Sequence, residues 1–253
     1  FEHTHRLIAA SVGLLTVALA VWAFASRAPR TVRRLSAAAV AVVVAQGVLG
    51  GLTVKYLLPT PISVGHACLA QCFFALTLAL AIVTSKAWRE NGAGFGGSIA
   101  PGAAAAAAIF IQLVLGAWMR HSDAGLAIPD FPASFGHLLP DHWDARIAVH
   151  FAHRLGAVVV AAAVFSAAFR VRRTRTDAAS RRLAGLMSLL VPAQMALGAF
   201  SIWTRKAVPI TVAHQTLGAV LLAASVALSM ALSRSPAAER AVPAPAWAQR
   251  RLA

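Results

Sequence analysis

Residues 209–232 read PITVAHQTLGAVLLAASVALSMAL, an unbroken apolar run with no charged side chain and a single histidine, His214. A helix of about 20 residues crosses the hydrocarbon core of a bilayer, whereas a barrel strand needs only about 10. The run is long enough for the first and too continuous for the second, whose residues alternate between lipid and lumen. Runs of the same kind recur along the chain, and seven membrane helices are expected at about 1–26, 34–54, 64–84, 103–119, 147–169, 183–203 and 209–232. The composition agrees: 59% of residues are hydrophobic and 12% charged, about half the charged fraction of a soluble domain. No region reads as a separate soluble domain. The fold class is all-α, a polytopic membrane helical bundle.

A formal net charge of +15 could point to nucleic acid, but its placement has another cause. Most of the basic residues fall in alternate loops, and the intervening loops hold few. Arg27, Arg30, Arg33 and Arg34 follow the first run, and Lys86 and Arg89 follow the third. Arg170, Arg172, Arg173, Arg175, Arg181 and Arg182 follow the fifth, and Arg234, Arg240, Arg250 and Arg251 occupy the tail. This is the positive-inside pattern of a cytoplasmic face, and no nucleic-acid partner is required. It places Phe1 outside and the tail inside. The longest outer loop, about 120–146, carries Asp123, Asp130, Asp141 and Asp144 with His121, His137 and His142, and suits either a lid or a plain connector. Asn91–Gly102 reads as a flexible Gly-rich inner loop, and the Ala/Pro-rich tail from Ser235 as disordered.

An internal repeat organises the rest. His5-Arg6-Leu7 returns as His153-Arg154-Leu155, 148 positions on. QGVLGG from Gln46 returns as QMALGA from Gln194, and VGHACLAQ around His66 returns as VAHQTLGA around His214, both at the same offset. Runs one to three thus repeat as runs five to seven. The fourth run has no partner, and its counterpart would precede Phe1. An eighth, N-terminal helix outside this chain is therefore expected, giving two tandem pseudo-symmetric four-helix halves. The halves expected are 1–90, with three helices present, and 103–232, with 233–253 as a cytoplasmic tail.

Histidine inside a membrane helix is costly and functional by default. His5, His66, His153 and His214 each fall near the outer end of a helix and so share one depth. Two imidazoles on facing helices are the ordinary means of holding a haem iron axially in a bundle. Gly47, Gly50 and Gly51 would admit a flat macrocycle, or merely allow close helix packing. Arg6 and Arg154 follow a candidate ligand directly and suit haem propionates, although snorkelling to headgroups fits their position equally. Glu2 lies three residues before His5, on the same helix face, while its repeat mate is His150. That asymmetry suggests a redox cofactor in one half and a reactive or substrate haem, with a carboxylate beside it, in the other. Cys68 and Cys72, four apart on one face, read as small packing residues.

The ordered set EHTHRL (Glu2–Leu7), QGVLGGLTV (Gln46–Val54), VGHACLAQ (Val64–Gln71), GAWMRHSDAGLAIPDFP (Gly116–Pro132), HFAHRLGA (His150–Ala157) and VAHQTLGA (Val212–Ala219) resembles the haem A synthase family over essentially the whole chain. The resemblance implies eight membrane helices in two similar halves. It implies haem b held by His153 and His214 with Arg154 nearby, haem O flanked by His5 and His66 with Arg6, and Glu2 as the catalytic glutamate. The implied reaction oxidises the C8 methyl of haem O to a formyl group, giving haem A for cytochrome oxidase. The implied partners are haem O, the enzyme that makes it, the lipid bilayer and an electron donor or acceptor; self-association stays open. Some family members carry a cysteine pair in an outer loop, which this chain lacks, so a thiol-linked electron entry is unsupported. The expected location is a bacterial inner membrane, with the haem sites toward the periplasm and the C-terminus cytoplasmic. Two other readings compete: a dihaem b-type electron carrier, and a haem-binding assembly protein without chemistry of its own. Glu2 favours the enzyme, because a carrier needs no carboxylate beside one iron.

Overall fold

A computed structural model describes residues 2–90 and 97–234, with the side chain of Glu2 outside the described residues. The tail from Ser235 and residues 91–96 of the Gly-rich segment, read above as disordered and flexible, also lie outside them. The described chain is helical: α1 (Glu2–Ala25), α2 (Arg30–Lys55), α3 (Thr60–Thr84), α4 (Lys86–Glu90), α5 (Ala100–His121), α6 (Ala145–Thr174), α7 (Ala178–Trp203) and α8 (Val208–Leu232). Seven of these are long and apolar enough to cross a membrane. They correspond in order to the seven runs of the sequence, and the protein is a multi-pass membrane bundle. The short α4 is an addition, folded from residues expected to be loop. Asp144 and Asp177 fix where α6 and α7 begin, each capping the first turn by accepting a backbone N–H, from Ile147 and Ser180. At its other end α6 continues past the apolar run through Arg170, Arg172 and Arg173.

Helices α5 to α8 close a ring in which each packs on its two neighbours, while α1, α2 and α3 form an arc joined to the ring through α3 against α5 and α8. The ring has a seam with the alternating four- and three-residue spacing of bundle cores. On α7 it runs Ser180, Ala184, Met187, Val191, Gln194, Gly198; on α8 it runs His214, Gly218, Leu221, Ser225, Leu228, Leu232. The corresponding stripe on α5 is Gly102, Ala105, Ile109, Gln112, Gly116, and on α6 it leads from His153 to Val160, Val164, Ala167 and Val171. Spacing alone therefore turns the glutamines, glycines and histidines toward the bundle interior.

The seam is not uniform along its length. One continuous buried cluster, with Ile109, Val164, Met187, Leu221 and Leu228 among its members, fills the end of the ring away from the histidines. There α5 and α8 approach closely: a Cβ on Gly102 would stand 2.7 Å from Ser229 Oγ and 2.8 Å from its backbone. Outside the ring, α1 exposes Leu7, Leu14, Leu15 and Trp22, each more than half accessible, as suits a helix whose apolar surface meets lipid. Some hydroxyls within the spans bond back to their own helix, as Ser188 does to Ala184 O and Thr16 to Val12 O, and Thr60 reaches His121 O on α5.

Two outer turns repeat in backbone geometry. Leu57 and Leu58 take φ of 57° and 61°, and Arg205 and Lys206, 148 positions on, take 50° and 65°. Each turn closes with a bond of 2.7 Å across five residues, Leu58 N–H to Thr53 O and Lys206 N–H to Ser201 O. This is the Schellman pattern of a helix end, built here without glycine.

Candidate functional site

Helices α1, α3, α6 and α8 all begin at one end of the bundle, because consecutive spans alternate in direction. His5, His66, His153 and His214 lie within the first three turns of these helices and so gather at that end, opposite the end that carries most of the basic residues. His153 and His214 face each other across the ring, with ring centroids 6.5 Å apart and planes at 71°. A metal–imidazole bond of about 2 Å sets a ring centroid roughly 3 Å from the metal, so two axial imidazoles on one iron stand roughly 6 Å apart. The observed pair has that separation. His66 is half-buried on α3, whereas His5 and Arg6 lie on an exposed stretch of α1, and α1 contacts α2 but not α3.

Each of the three deeper histidines rests on a glycine of the preceding long helix. A Cβ on Gly50 would meet His66 Cε1 at 3.1 Å, one on Gly116 would meet His153 Cε1 at 3.0 Å, and one on Gly198 would meet His214 Cε1 at 3.2 Å. Nδ1 and then Nε2 follow in the same order at all three sites, so the three rings share one orientation over their glycines. Four residues before each glycine stands a glutamine. Gln46 Nε2 lies 3.4 Å from His66 Nε2, and Gln112 Nε2 lies 3.1 Å from His153 Nδ1 and donates to His153 O at 2.7 Å. His214 Nδ1 instead donates to the main-chain carbonyl of Gln194, at 3.1 Å. Oε1 of all three glutamines is buried without a hydrogen-bond partner.

The third of these cradles, Gln112-Leu-Val-Leu-Gly116, went unread in the sequence. The same Gln-x-x-Leu-Gly string occurs at Gln46 and Gln194 and was the available signal. A search at the 148-residue offset misses it, because that shift carries residue 112 to no position in the chain. Its histidine is also farther away, 41 residues from the glutamine against 20 at the other two sites, because the long outer loop intervenes.

That loop is built over the ring. His150, 2% exposed, accepts the Ile128 N–H on Nδ1 at 3.2 Å, and Ile128 is itself fully buried. One turn on, the Arg154 guanidinium donates to Asp130 O at 2.6 Å, Ala133 O at 2.8 Å and Ile128 O at 3.3 Å, while its Nε is buried without a partner. Asp130 in turn accepts the N–H groups of Phe135 and Gly136 at 2.8 and 2.7 Å. The Gly136 N–H, then that of Phe135, and the nearby Arg154 hold its carboxyl below the usual carboxylate range. His150, noted in the sequence only as the mate of Glu2, thus holds a lid where the other half carries an acid.

A ring of membrane helices with two imidazoles 6.5 Å apart at one end, over a packed core, has the architecture of membrane bundles that can hold a haem. The chain belongs to the COX15-CtaA family of cytochrome oxidase assembly proteins, whose profile matches residues 1–226. It is similar to the protein named "Heme A synthase" of Symbiobacterium thermophilum, 32% identical over 209 residues that cover 78% of this chain and 67% of that protein. It is 31% identical to the "Heme A synthase" of Sphingopyxis alaskensis over 94% of this chain and 71% of the relative. With that of Alkalihalophilus pseudofirmus the identity is 25%, over 92% of this chain and 80% of the relative.

Proposed function

We propose that this chain is a membrane oxidoreductase that converts haem O to haem A, with His153 and His214 as the axial pair of a haem b cofactor and His5 and His66 flanking the substrate. The observation that carries the reading is the His153–His214 pair, 6.5 Å apart at one end of a closed ring. The donor set fits a haem. The glycines at 116 and 198 leave room for each ring where a Cβ would intrude, and the orphaned Arg154 Nε–H is a donor left for a propionate.

A bound haem b supplies one-electron transfer. The protein's own groups do the rest. His153 and His214 would hold the haem iron, the packed inner half of the ring would keep water from one side, and the Arg154-anchored loop would cover the other. Glu2, three residues before His5 in the sequence, is the acid/base group assigned to the oxidation of the substrate methyl to the formyl. Arg6 is the propionate partner in that half. The helix ends rich in arginine lie opposite the histidines, which supports an inner-membrane protein with its haem sites toward the periplasm and its C-terminus in the cytoplasm.

Extraction of pigment from the purified protein tests the reading. Haem b together with haem O or haem A is expected by mass, and haem b alone would favour an electron carrier. Glu2→Ala is expected to abolish formyl production and to retain the b-type spectrum; loss of that spectrum contradicts the assigned roles.

A further inference from the structure

Where α6 ends and α7 begins, at the end of the ring opposite the histidines, an open cavity of about 460 Å³ is lined by Arg172, Thr176, Ala178, Arg181 and Arg182. Three cations converge on one space. No carboxylate among the described residues answers them. Of the acids at this end, Asp177 accepts the Arg175 Nε–H at 2.8 Å and Glu90 pairs with Lys86 at 3.8 Å. The guanidinium groups of Arg172, Arg181 and Arg182 have no hydrogen-bond or ion-pair partner among the described residues.

This placement is electrostatically unfavourable for the protein by itself. Arg181 and Arg182 fall within five residues of the start of α7, where the helix dipole and the unbonded first-turn N–H groups favour an anion. The three like charges also repel one another. The frame that holds them is nonetheless fixed. Arg175 donates through Nη2 to Arg234 O at 2.9 Å, and Asp177 accepts the Ser180 N–H at 2.9 Å. A phosphate entering the cavity reverses the balance, because guanidinium groups bind it through paired N–H donors and the start of α7 adds its own attraction.

The neighbouring surface indicates where that phosphate comes from. Phe165, Phe169 and Arg172 follow one another at four and three residues on α6, and Arg182, Leu186 and Leu189 do the same on α7, so each set shares a helix face. Phe165, Phe169, Leu186 and Leu189 are all exposed. Two apolar stripes thus lead from the arginines toward the middle of the spans, the path that acyl chains take from a headgroup. Basic pockets between membrane helices at this level suit anionic headgroups. We propose that the cavity formed by Arg172, Arg181, Arg182 and Ala178 binds the phosphate headgroup of an anionic glycerophospholipid, whose chains lie along the α6 and α7 stripes.

The test uses the purified full-length chain in neutral detergent, titrated with cardiolipin, with zwitterionic phosphatidylethanolamine or with inorganic phosphate. Thermal midpoint and native mass spectrometry of bound lipid are read. Cardiolipin is expected to raise the midpoint and to stay bound in preference to phosphatidylethanolamine. Changing Arg172, Arg181 and Arg182 together to Gln is expected to weaken cardiolipin binding about a hundredfold, at about fivefold for each arginine. Changing Arg27, Arg30 and Arg34 to Gln removes the same charge from the same end and is expected to leave binding unaltered. Ala178→Asp guards against misfolding. A carboxylate in the first turn favours the helix and pairs with the arginines, so this variant should be at least as stable in detergent alone and yet lose its response to cardiolipin. No preference for cardiolipin in the unmodified protein, equal weakening in both triple variants, or a full response in Ala178→Asp overturns the proposal. Inorganic phosphate that stabilises the protein and displaces cardiolipin would assign the site to a free anion, and overturns it as well.

Discussion

Gly116 and His153 meet across the α5–α6 crossing, where a Cβ on the glycine would stand 3.0 Å from the imidazole Cε1. At Gly198 and His214 the corresponding distance is 3.2 Å. Each imidazole must therefore shift by a few tenths of an ångström to admit a methyl group, and the His153 ring must shift more. Gly116→Ala is expected to lower haem b per protein more than Gly198→Ala does, and Gly116→Leu to abolish it. Alanine favours a helix over glycine by about 1 kcal/mol, so the helices themselves gain from the change. Haem content by pyridine haemochrome checks this, and equal, unaltered occupancy in both alanine variants would sink it.

Gly102 makes a comparable approach at the other end of the ring, but against backbone. Its absent Cβ would fall 2.8 Å from Ser229 N and Cα, atoms that cannot rotate away. Gly102→Val is expected to separate α5 from α8 and to cost about 1–3 kcal/mol as an overpacked site. A thermal melt in detergent should show the loss, and an unchanged midpoint would mean the crossing is softer than its geometry.

Arg154 holds the outer loop through carbonyls at 128, 130 and 133. Bonds to a charged donor contribute about 1.5–3 kcal/mol each. Arg154→Leu is expected to release residues 122–144, raising amide exchange there at least tenfold while α6 stays protected. Arg154→Lys, a point charge in place of a fork, should fall between. A loop equally protected in all three proteins would place its anchor elsewhere.

Asp130 gives that loop an acid limit. Its carboxyl is held low chiefly by the Gly136 N–H, so its contribution is present in full above the ordinary carboxylate value of about 3.9 and fades as pH falls through the lower, folded value. Protection of Phe135 and Gly136 is expected to be constant from neutral pH down to about 4 and to drop below it. Asp130→Asn should weaken protection at neutral pH and flatten the acid step. An acid step of full size in that variant would assign it to another group.

Much of this molecule can be read locally. Seven apolar runs became seven membrane helices because length and continuity of apolar sequence are properties of a segment by itself. The repeat was visible in three strings at one offset, and it extends to turns whose residues differ completely, Leu57-Leu58 against Arg205-Lys206. No glycine or asparagine marks those turns, so composition does not reveal that both adopt positive φ. The extension of α6 to Thr174 was hidden for a related reason: arginines end an apolar run without ending a helix.

The sequence by itself determined the class of fold, the depth shared by the four histidines and the seam spacing that turns three of them inward. Tertiary structure decided what each histidine touches. His150 was legible only as a break in the repeat, and it became a lid anchor because the loop brings the Ile128 N–H to its Nδ1. His153 and His214 read as equals in sequence, yet one ring leans on the Gln112 side chain and the other on the Gln194 main chain. The physical reason is the directionality of hydrogen bonds. Their partners depend on a few ångströms of helix crossing and rotation, which the packing of the whole ring sets and no single segment encodes.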